Sequence, residues 1–99
     1  MLLAVDIGNT QTHVGVFDGD GLAHDWRLGT DPHLTSDELA ATLGNLLELD
    51  GLSFASLDAA IVSTVVPQLG PEYRRLCERH VEGGYLKVGP NLKTGMPIL

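Results

Sequence analysis

The first 28 residues carry three strand-like segments joined by two short connections, and this spacing restricts the fold most strongly. An apolar run over Leu2–Ile7 ends at Gly8, and residues 12–17 then alternate between polar and apolar types. The Asp-Gly-Asp-Gly sequence at 18–21 is a strong turn signal, and residues 22–28 alternate again. The chain is therefore predicted to begin with a three-stranded antiparallel meander.

The next segment has the pattern of an amphipathic helix with a defined start. Thr35-Ser-Asp-Glu38 matches a capping box, in which Thr35 accepts from the Glu38 N–H and Glu38 accepts from the Thr35 N–H. Leucines at 39, 43, 46 and 47 form one apolar stripe, and the helix is predicted to end near Asp50-Gly51.

A second strand–helix–strand pattern completes the chain. Residues 58–66 are β-branched and apolar and stop at Pro67, which is typical of a buried strand. Residues 67–80 are predicted to be helical with Pro71 in the first turn, and residues 85–88 to be a short strand before a loop at 89–99. The predicted order is β-β-β-α-β-α-β, an α/β fold with a mixed sheet, because a strand–helix–strand connection favours a right-handed crossover to a parallel neighbour.

Composition narrows the functional classes. The 99 residues suit one domain, and the net charge of −7 argues against a nucleic-acid-binding surface, which needs a basic patch. Cys77 is single, so it cannot form an intrachain disulfide and is expected to be buried in a helix. The longest uncharged apolar run, residues 59–66, is too short to span a bilayer, and no signal peptide is visible. A cytoplasmic protein with no nucleic-acid or membrane partner is expected.

Asp6 is the residue that most suggests chemistry. A carboxylate at the end of an apolar strand must be solvated, hydrogen-bonded or close to a cation, and a Mg²⁺ ion carried by a nucleotide would suit it. Gly8 allows a close backbone approach, and Asn9, Thr10 and Thr12 supply amide and hydroxyl groups. Consecutive N–H groups in such a turn can form an anion-binding concavity. The stretch is predicted to bind phosphate.

Simpler interpretations stay open for the same residues. Asp-Ile-Gly-Asn-Thr also suits a tight connection with a capping Asp and a turn Asn. The stretch is neither a Walker A loop nor a dinucleotide-binding fingerprint, because it lacks Gly-Lys-Ser/Thr and G-x-G-x-x-G. Ser63 and Thr64 end a predicted parallel strand, where ligands gather in open α/β sheets, but core hydroxyls bonded to the backbone are equally compatible.

Four segments in order along the chain resemble the type III pantothenate kinases, which belong to the superfamily of actin-like ATPases, acetate kinases and sugar kinases. They read LLAVDIGNTQTHVGVFDGD, WRLGTDPHLTSDELA, GLSFASLDAAIVSTVVPQL and VGPNLKTGMPI. The resemblance implies a ribonuclease H-like/actin-like ATPase domain. It also implies ATP-dependent phosphorylation of pantothenate to 4′-phosphopantothenate, the first step of coenzyme A synthesis.

The resemblance implies specific ligands as well. The stretch from Asp6 to His13 would bind the ATP phosphates through Asp6, Ile7, Gly8, Asn9, Thr10, Gln11, Thr12 and His13, with Asp6 facing Mg²⁺ directly or through water. The family uses a monovalent cation, K⁺ or NH₄⁺, and acts as a homodimer whose site lies between two such domains.

The chain also departs from the family pattern. Family members are more than twice as long and carry a Gly-Ala-Asp-Arg motif with the proton-accepting Asp soon after K-T-G-M-P-I, where this chain ends on apolar residues 96–99. Residues 1–99 are therefore expected to be a truncated amino-terminal domain without a catalytic base, inactive alone. Two alternatives are a non-catalytic binding or regulatory module of the same fold, and a fragment of another sugar kinase of the superfamily. Asn9 and the K-T-G-M segment weigh against the latter.

Overall fold

Five strands form one mixed sheet in the spatial order β3-β2-β1-β4-β5, and the computed structural model describes residues 1–87. The predicted order of elements is confirmed, whereas Val88, the loop at 89–99 and the K-T-G-M segment lie outside the described residues. A 3₁₀ turn, Phe54–Ser56, precedes the fourth strand. The elements are β1 (Leu2–Ile7), β2 (Gln11–Asp18), β3 (Gly21–Gly29), α1 (Ser36–Leu49), β4 (Ala59–Thr64), α2 (Leu69–His80) and β5 (Tyr85–Lys87).

The antiparallel meander lies at one side of the sheet. β1 pairs with β2 and β2 with β3, and the turn between β2 and β3 has Gly19 at φ 64°, a conformation that glycine adopts without steric cost. The β2–β3 register shifts between Val16 and Phe17, so the pairing contains an irregularity there. Beyond β1 the sheet is parallel, because β4 pairs with β1 and β5 with β4 in the same direction.

Helix α1 begins and ends with the predicted signals. The Glu38 N–H donates to the Thr35 hydroxyl at 3.3 Å and the Thr35 N–H donates to the Glu38 carboxylate at 3.0 Å, which completes the capping box. At the other end Gly51 has φ 77°, and the N–H groups of Gly51 and Leu52 donate to the carbonyls of Glu48 and Leu47. This is a Schellman motif, and it ends the helix where Asp50-Gly51 predicts.

Both helices pack on one face of the sheet. That face presents Leu3, Val5 and Ile7 of β1, each at most 1% exposed, to the buried stripes of the two helices. Three of the four leucines predicted to form the apolar stripe of α1 are buried, and the fourth, Leu46, is half-buried. The buried hydrophobic residues of the two helices are Leu39, Leu43, Leu47, Leu69, Tyr73, Leu76 and Cys77.

Two ionisable groups lie inside this core. Burial raises the pKa of Tyr73 to about 12, with a smaller contribution from Cys77. Burial, and secondarily the Glu78 carboxylate, raises the pKa of the Cys77 thiol to about 12. Cys77 therefore behaves as a neutral packing residue, as predicted. His80, in the last turn of α2, is exposed and stacks on Phe54 with a centroid distance of 5.0 Å.

β4 ends two residues earlier than the sequence predicts. The Thr64 hydroxyl accepts from the Val66 N–H at 2.8 Å and donates to the Val66 carbonyl at 3.1 Å, which turns the chain out of the strand. Helix α2 then starts at Leu69, with Pro71 in its first turn. The Glu72 carboxylate accepts from the Ser36 N–H at 2.8 Å, so the amino termini of the two helices lie together at the edge where β1 and β4 end.

β5 is attached to the sheet through a close contact at Gly83. A Cβ atom at this position would lie 1.7 Å from the Asp58 carbonyl oxygen, so only glycine fits without backbone movement. The Ala60 N–H donates to the Gly84 carbonyl at 3.2 Å and aligns the strand beside β4. Within residues 1–87, no helix has the length and apolar content needed to cross a membrane.

Candidate phosphate-binding site

Asp6 lies near the carboxyl end of β1 and on the face of the sheet opposite the helices. Strand residues alternate between faces, so Asp6 points away from the core that Val5 and Ile7 enter. It is half-buried, and its register neighbours are His13 on β2 and Ser63 on β4. The strand therefore holds a carboxylate at the sheet edge where parallel strands end, which is where ligands bind in open α/β sheets.

The connection after Asp6 is a tight hairpin closed by Gly8. The Gly8 N–H donates to the Gln11 carbonyl at 2.9 Å, and a Cβ on Gly8 would lie only 3.0 Å from that same oxygen. The close approach predicted for Gly8 is thus made within the hairpin itself. Asn9 and Thr10 form the exposed tip, and neither amide donates to a backbone carbonyl within residues 1–87. These two adjacent N–H groups therefore have no backbone acceptor there, and successive N–H groups of a turn can form an anion-binding concavity.

Threonine side chains fix the hairpin to the end of β3. Thr12 is 3% exposed, and its hydroxyl lies 2.8 Å from the Thr30 hydroxyl. The Thr30 N–H also donates to the Thr10 carbonyl at 3.0 Å. These two hydrogen bonds hold the carbonyl side of the tip, so the Thr10 carbonyl is turned toward β3 rather than toward an incoming anion.

His13 stands beside Asp6 on β2. Its Nε2 lies 3.0 Å from the Asp25 carboxylate on β3, and its side chain is 47% exposed. The contact orients the ring. When Nε2 carries a proton, the Nε2–H group donates to the Asp25 carboxylate. An imidazole held in this way can donate through Nδ1 only when it carries both protons.

One cavity of about 280 Å³ brings most of the predicted residues together. Its lining includes five of the eight residues implied by the resemblance, together with an arginine that the sequence reasoning left without a role. Ile7 is fully buried in the core, so its side chain is excluded from the site, and Asn9 and Thr10 form the tip outside the lining. The lining residues are Asp6, Gly8, Gln11, Thr12, His13 and Arg27.

Arg27 could have been found from the alternation of β3. The pattern at 22–28 places Trp26 and Leu28 on the core side and Arg27 on the other. The pattern does not give the register between the strands. The structure shows that Arg27 lies opposite His13 and that His13 lies opposite Asp6. Neighbouring strands thus place one acid, one imidazole and one guanidinium in a row on the same face.

The hydroxyls that end β4 differ from each other. Thr64 forms hydrogen bonds in both directions with the Val66 backbone, which supports the interpretation of a backbone-bonded hydroxyl. Ser63 is fully buried and lies next to Asp6 in the β1–β4 register.

The donors present fit a metal that arrives with a nucleotide. Magnesium is usually held by one or two carboxylates, with phosphate oxygens and water completing its octahedron. Asp6 is one such carboxylate at the cavity wall. The described part of the chain holds no group of three or more His, Cys, Asp or Glu side chains that could hold a metal ion unaided. These residues therefore fit Mg²⁺ bound to phosphate and do not form a complete protein site.

Comparisons with known proteins identify the family of the chain. The family model for type III pantothenate kinase matches residues 2–99. A type III pantothenate kinase of Syntrophotalea carbinolica is 46% identical over 99 residues, which is all of this chain and 39% of the relative. One from Rubrobacter xylanophilus is 46% identical over 96 residues, or 97% of this chain and 36% of the relative. The chain thus spans somewhat over a third of the length of these relatives.

A solved structure shows the fold independently. The crystal structure of a candidate N-acetylglucosamine kinase from Porphyromonas gingivalis superposes with a TM-score of 0.63 and 16% identity. The match covers 90% of this chain and 34% of that protein. It confirms the predicted actin-like ATPase architecture, and at this identity it shows the fold alone. The family match over nearly every residue carries the assignment further: this chain belongs to the type III pantothenate kinase family.

Proposed function

We propose that this chain is the phosphate-binding part of an ATP-dependent kinase that converts pantothenate to 4′-phosphopantothenate. The observation that carries the proposal is the cavity at the end of β1, where Asp6, Gly8, Gln11, Thr12 and His13 meet beside the free N–H groups of the hairpin tip. A family match over residues 2–99 supports pantothenate as the acceptor. In this proposal residues 1–99 belong to the amino-terminal actin-like domain.

ATP would bind with its phosphates at the hairpin. The N–H groups of Asn9 and Thr10 would donate to phosphate oxygens, and Gln11 and Thr12 would position the chain at the cavity wall. Asp6 would hold Mg²⁺ together with the phosphates, directly or through water. When bound, the metal neutralises charge on the phosphoryl group that is transferred.

Catalysis in phosphoryl transfer is mostly positioning and charge stabilisation. This chain supplies the positioning: the Thr12–Thr30 contact and the Thr30–Thr10 hydrogen bond fix the hairpin against β3. The group that accepts the pantothenate hydroxyl proton is proposed to be an Asp in the part of the family's length that this chain does not span. We also infer a homodimer, a K⁺ or NH₄⁺ requirement and a cytoplasmic location for the whole enzyme.

A chimera tests the proposal directly. This chain would replace the matching amino-terminal part of the Syntrophotalea carbinolica relative, which aligns with all 99 residues. We expect the chimera to transfer phosphate from ATP to pantothenate, measured as 4′-phosphopantothenate by mass spectrometry. N-acetylglucosamine, offered under the same conditions, should remain unphosphorylated.

The matched control is the same chimera with Gly8→Val. Its added bulk would clash with the Gln11 carbonyl and open the hairpin, so kinase activity should fall while the helix content of the protein is kept. A folded chimera that phosphorylates N-acetylglucosamine, or that leaves pantothenate untouched while the parent relative is active, contradicts the proposal.

A further inference from the structure

Arg27 stands in line with the proposed phosphate site across three strands. It lies opposite His13 in the β2–β3 register, and His13 lies opposite Asp6 in the β1–β2 register. Side chains at directly opposed positions emerge on the same face of a sheet, with Cβ atoms about 5 Å apart. The long arginine side chain on β3 can therefore reach toward the space in front of β1.

The cavity lining shows that Arg27 does so. Arg27 shares the same cavity wall as Asp6, Gly8 and Gln11, although it is nineteen positions beyond Gly8 in the sequence. Its exposed position on β3 leaves the guanidinium in contact with solvent as well. A ligand that filled the cavity would meet the hairpin on one side and this cation on the other.

Arg27 differs from the other described arginines. Arg75 and Arg79 lie 3.7 Å from Glu72 and Asp37, and Arg74 lines a separate groove with Tyr85. Within residues 1–87 Arg27 forms no ion pair, and the Asp25 carboxylate two positions earlier contacts His13. Its donors therefore remain available for an incoming anion.

The charge of the chain favours a cation at the site. The net charge of −7 repels a polyphosphate, Asp6 adds negative charge at the cavity wall, and Asp25 adds more beside it through its contact with His13. A metal at Asp6 would neutralise negative charge on only one side of the polyphosphate. An arginine suits the other side, because its planar fork can bind two phosphate oxygens at once, whereas lysine acts as a point charge.

We propose that Arg27 is a phosphate-binding residue that holds the polyphosphate of the nucleotide against the β1–β2 hairpin, across the cavity from Asp6. The inference rests on the proposed function, since it names a further ligand of the same site. It differs from the predicted site, which was confined to the stretch from Asp6 to His13.

Titration of the 99-residue chain with inorganic tripolyphosphate tests the inference without relying on catalysis. Binding would be followed by NMR through the Nε–Hε signals of the arginines, with and without Mg²⁺. We expect the Arg27 signal to move on titration, while the Arg74, Arg75 and Arg79 signals stay in place. Arg27→Gln should weaken tripolyphosphate binding about tenfold or more, since it removes a charge-assisted contact. Arg27→Lys should recover part of the loss.

The matched control is Arg74→Gln, which removes the same charge from α2, in a separate groove. It should leave the dissociation constant for tripolyphosphate within about twofold of that of the unsubstituted chain, because salt largely screens an exposed charge outside the cavity. Circular dichroism of each variant checks the fold. The inference is overturned if Arg27→Gln binds tripolyphosphate as tightly as Arg74→Gln, or if the Arg27 signal does not move.

Failure of the proposed function has a separate signature. A chain that binds tripolyphosphate through Arg27, in a chimera that never phosphorylates pantothenate, keeps this inference and removes the assigned reaction. An active chimera whose KM for ATP is unchanged by Arg27→Gln keeps the reaction and removes Arg27 from the site.

Discussion

The two faces of the sheet use the same strands for different purposes. On one face, Val5, Ile7 and Val14 pack into the core that both helices cover, and each of these side chains is at most 1% exposed. The other face carries Asp6, His13, Asp25 and Arg27 beside the hairpin cavity. Because neighbouring residues of a strand point to opposite faces, the core positions hold the site residues in place. Stability and ligand binding should therefore respond to substitutions on different faces.

The largest expected effect comes from shortening a buried side chain on the helix-covered face of the sheet. Leu43→Ala removes a fully buried side chain of α1 and should lower the free energy of unfolding by about 3 kcal/mol through lost burial and a cavity. Leu49→Ala, on the same helix but 77% exposed, is the control and should change it by less than about 0.5 kcal/mol. Urea unfolding monitored by circular dichroism measures both. Equal losses in the two variants would contradict the burial pattern of α1.

Substitution on the opposite face should affect binding instead. Asp6→Asn keeps the shape of the side chain and removes the charge that we propose faces the metal, so Mg²⁺-dependent ATP binding should weaken about 100-fold. Asp18→Asn, at the exposed end of β2, should have no such effect. Calorimetric titration with and without Mg²⁺ separates the metal contribution. If Asp6→Asn bound Mg-ATP as tightly as Asp18→Asn, Asp6 would have no role at the metal.

The stability of the protein at alkaline pH tests the burial of Tyr73 and Cys77 in the core. Burial raises the pKa of Tyr73 and of Cys77 to about 12, from ordinary values of 10.0 and 9.0. The folded state therefore favours the neutral forms: their stabilisation is complete below about pH 9 and is lost as the pH rises toward about 12. Between about pH 9 and about pH 10.5 the free energy of unfolding should fall by about 2 kcal/mol.

Tyr73→Phe together with Cys77→Ser supplies the comparison for this pH dependence. The doubly substituted chain has neither buried titrating group, so its unfolding free energy should change much less over the same pH interval, whatever its starting stability. Urea titrations at the two pH values measure the difference. A fall of equal size in both proteins would show that other groups cause it.

The smallest expected effect concerns the contact that ties the hairpin to β3. A double-mutant cycle with Thr12→Val and Thr30→Val should give a coupling energy of about 1 kcal/mol for the hydroxyl pair 2.8 Å apart. Ser53→Ala, at an exposed position before the 3₁₀ turn, serves as the distant reference in place of Thr30→Val and should show no coupling to Thr12→Val. Equilibrium unfolding of the variants measures both cycles, and zero coupling between Thr12 and Thr30 would remove the hydroxyl contact from the account of the hairpin.

Local signals in the sequence predicted the elements well. The capping box at Thr35 and Glu38 and the glycine at 51 set the ends of α1, and both depend on residues within one helical turn. The parallel pairing of β4 was also predicted, because crossover handedness limits where a strand can go after a helix. The end of β4 was misplaced, because the Thr64 hydroxyl bonds to the Val66 backbone and starts the turn early.

The site was predicted less completely than the fold. The alternating pattern of β3 gives the face of Arg27 but not its neighbour, because the register depends on the whole hairpin, including the irregularity between Val16 and Phe17. The Thr12–Thr30 contact and the Ser36–Glu72 hydrogen bond join residues eighteen or more positions apart, and no local pattern indicates them. The assignment of Asp6, Gly8, Gln11, Thr12 and His13 to phosphate binding remains a prediction.

The close contact at Gly83 has a genetic consequence. Any side chain there would overlap the Asp58 carbonyl, so even Gly83→Ala must push β5 away from β4. Among residues 1–87 the displacement affects the three described residues of β5 at the edge of the sheet and leaves the hairpin at the other end of β1 untouched. Such a substitution is suited to a temperature-sensitive allele, in which the protein would assemble at low temperature and lose its sheet edge on warming.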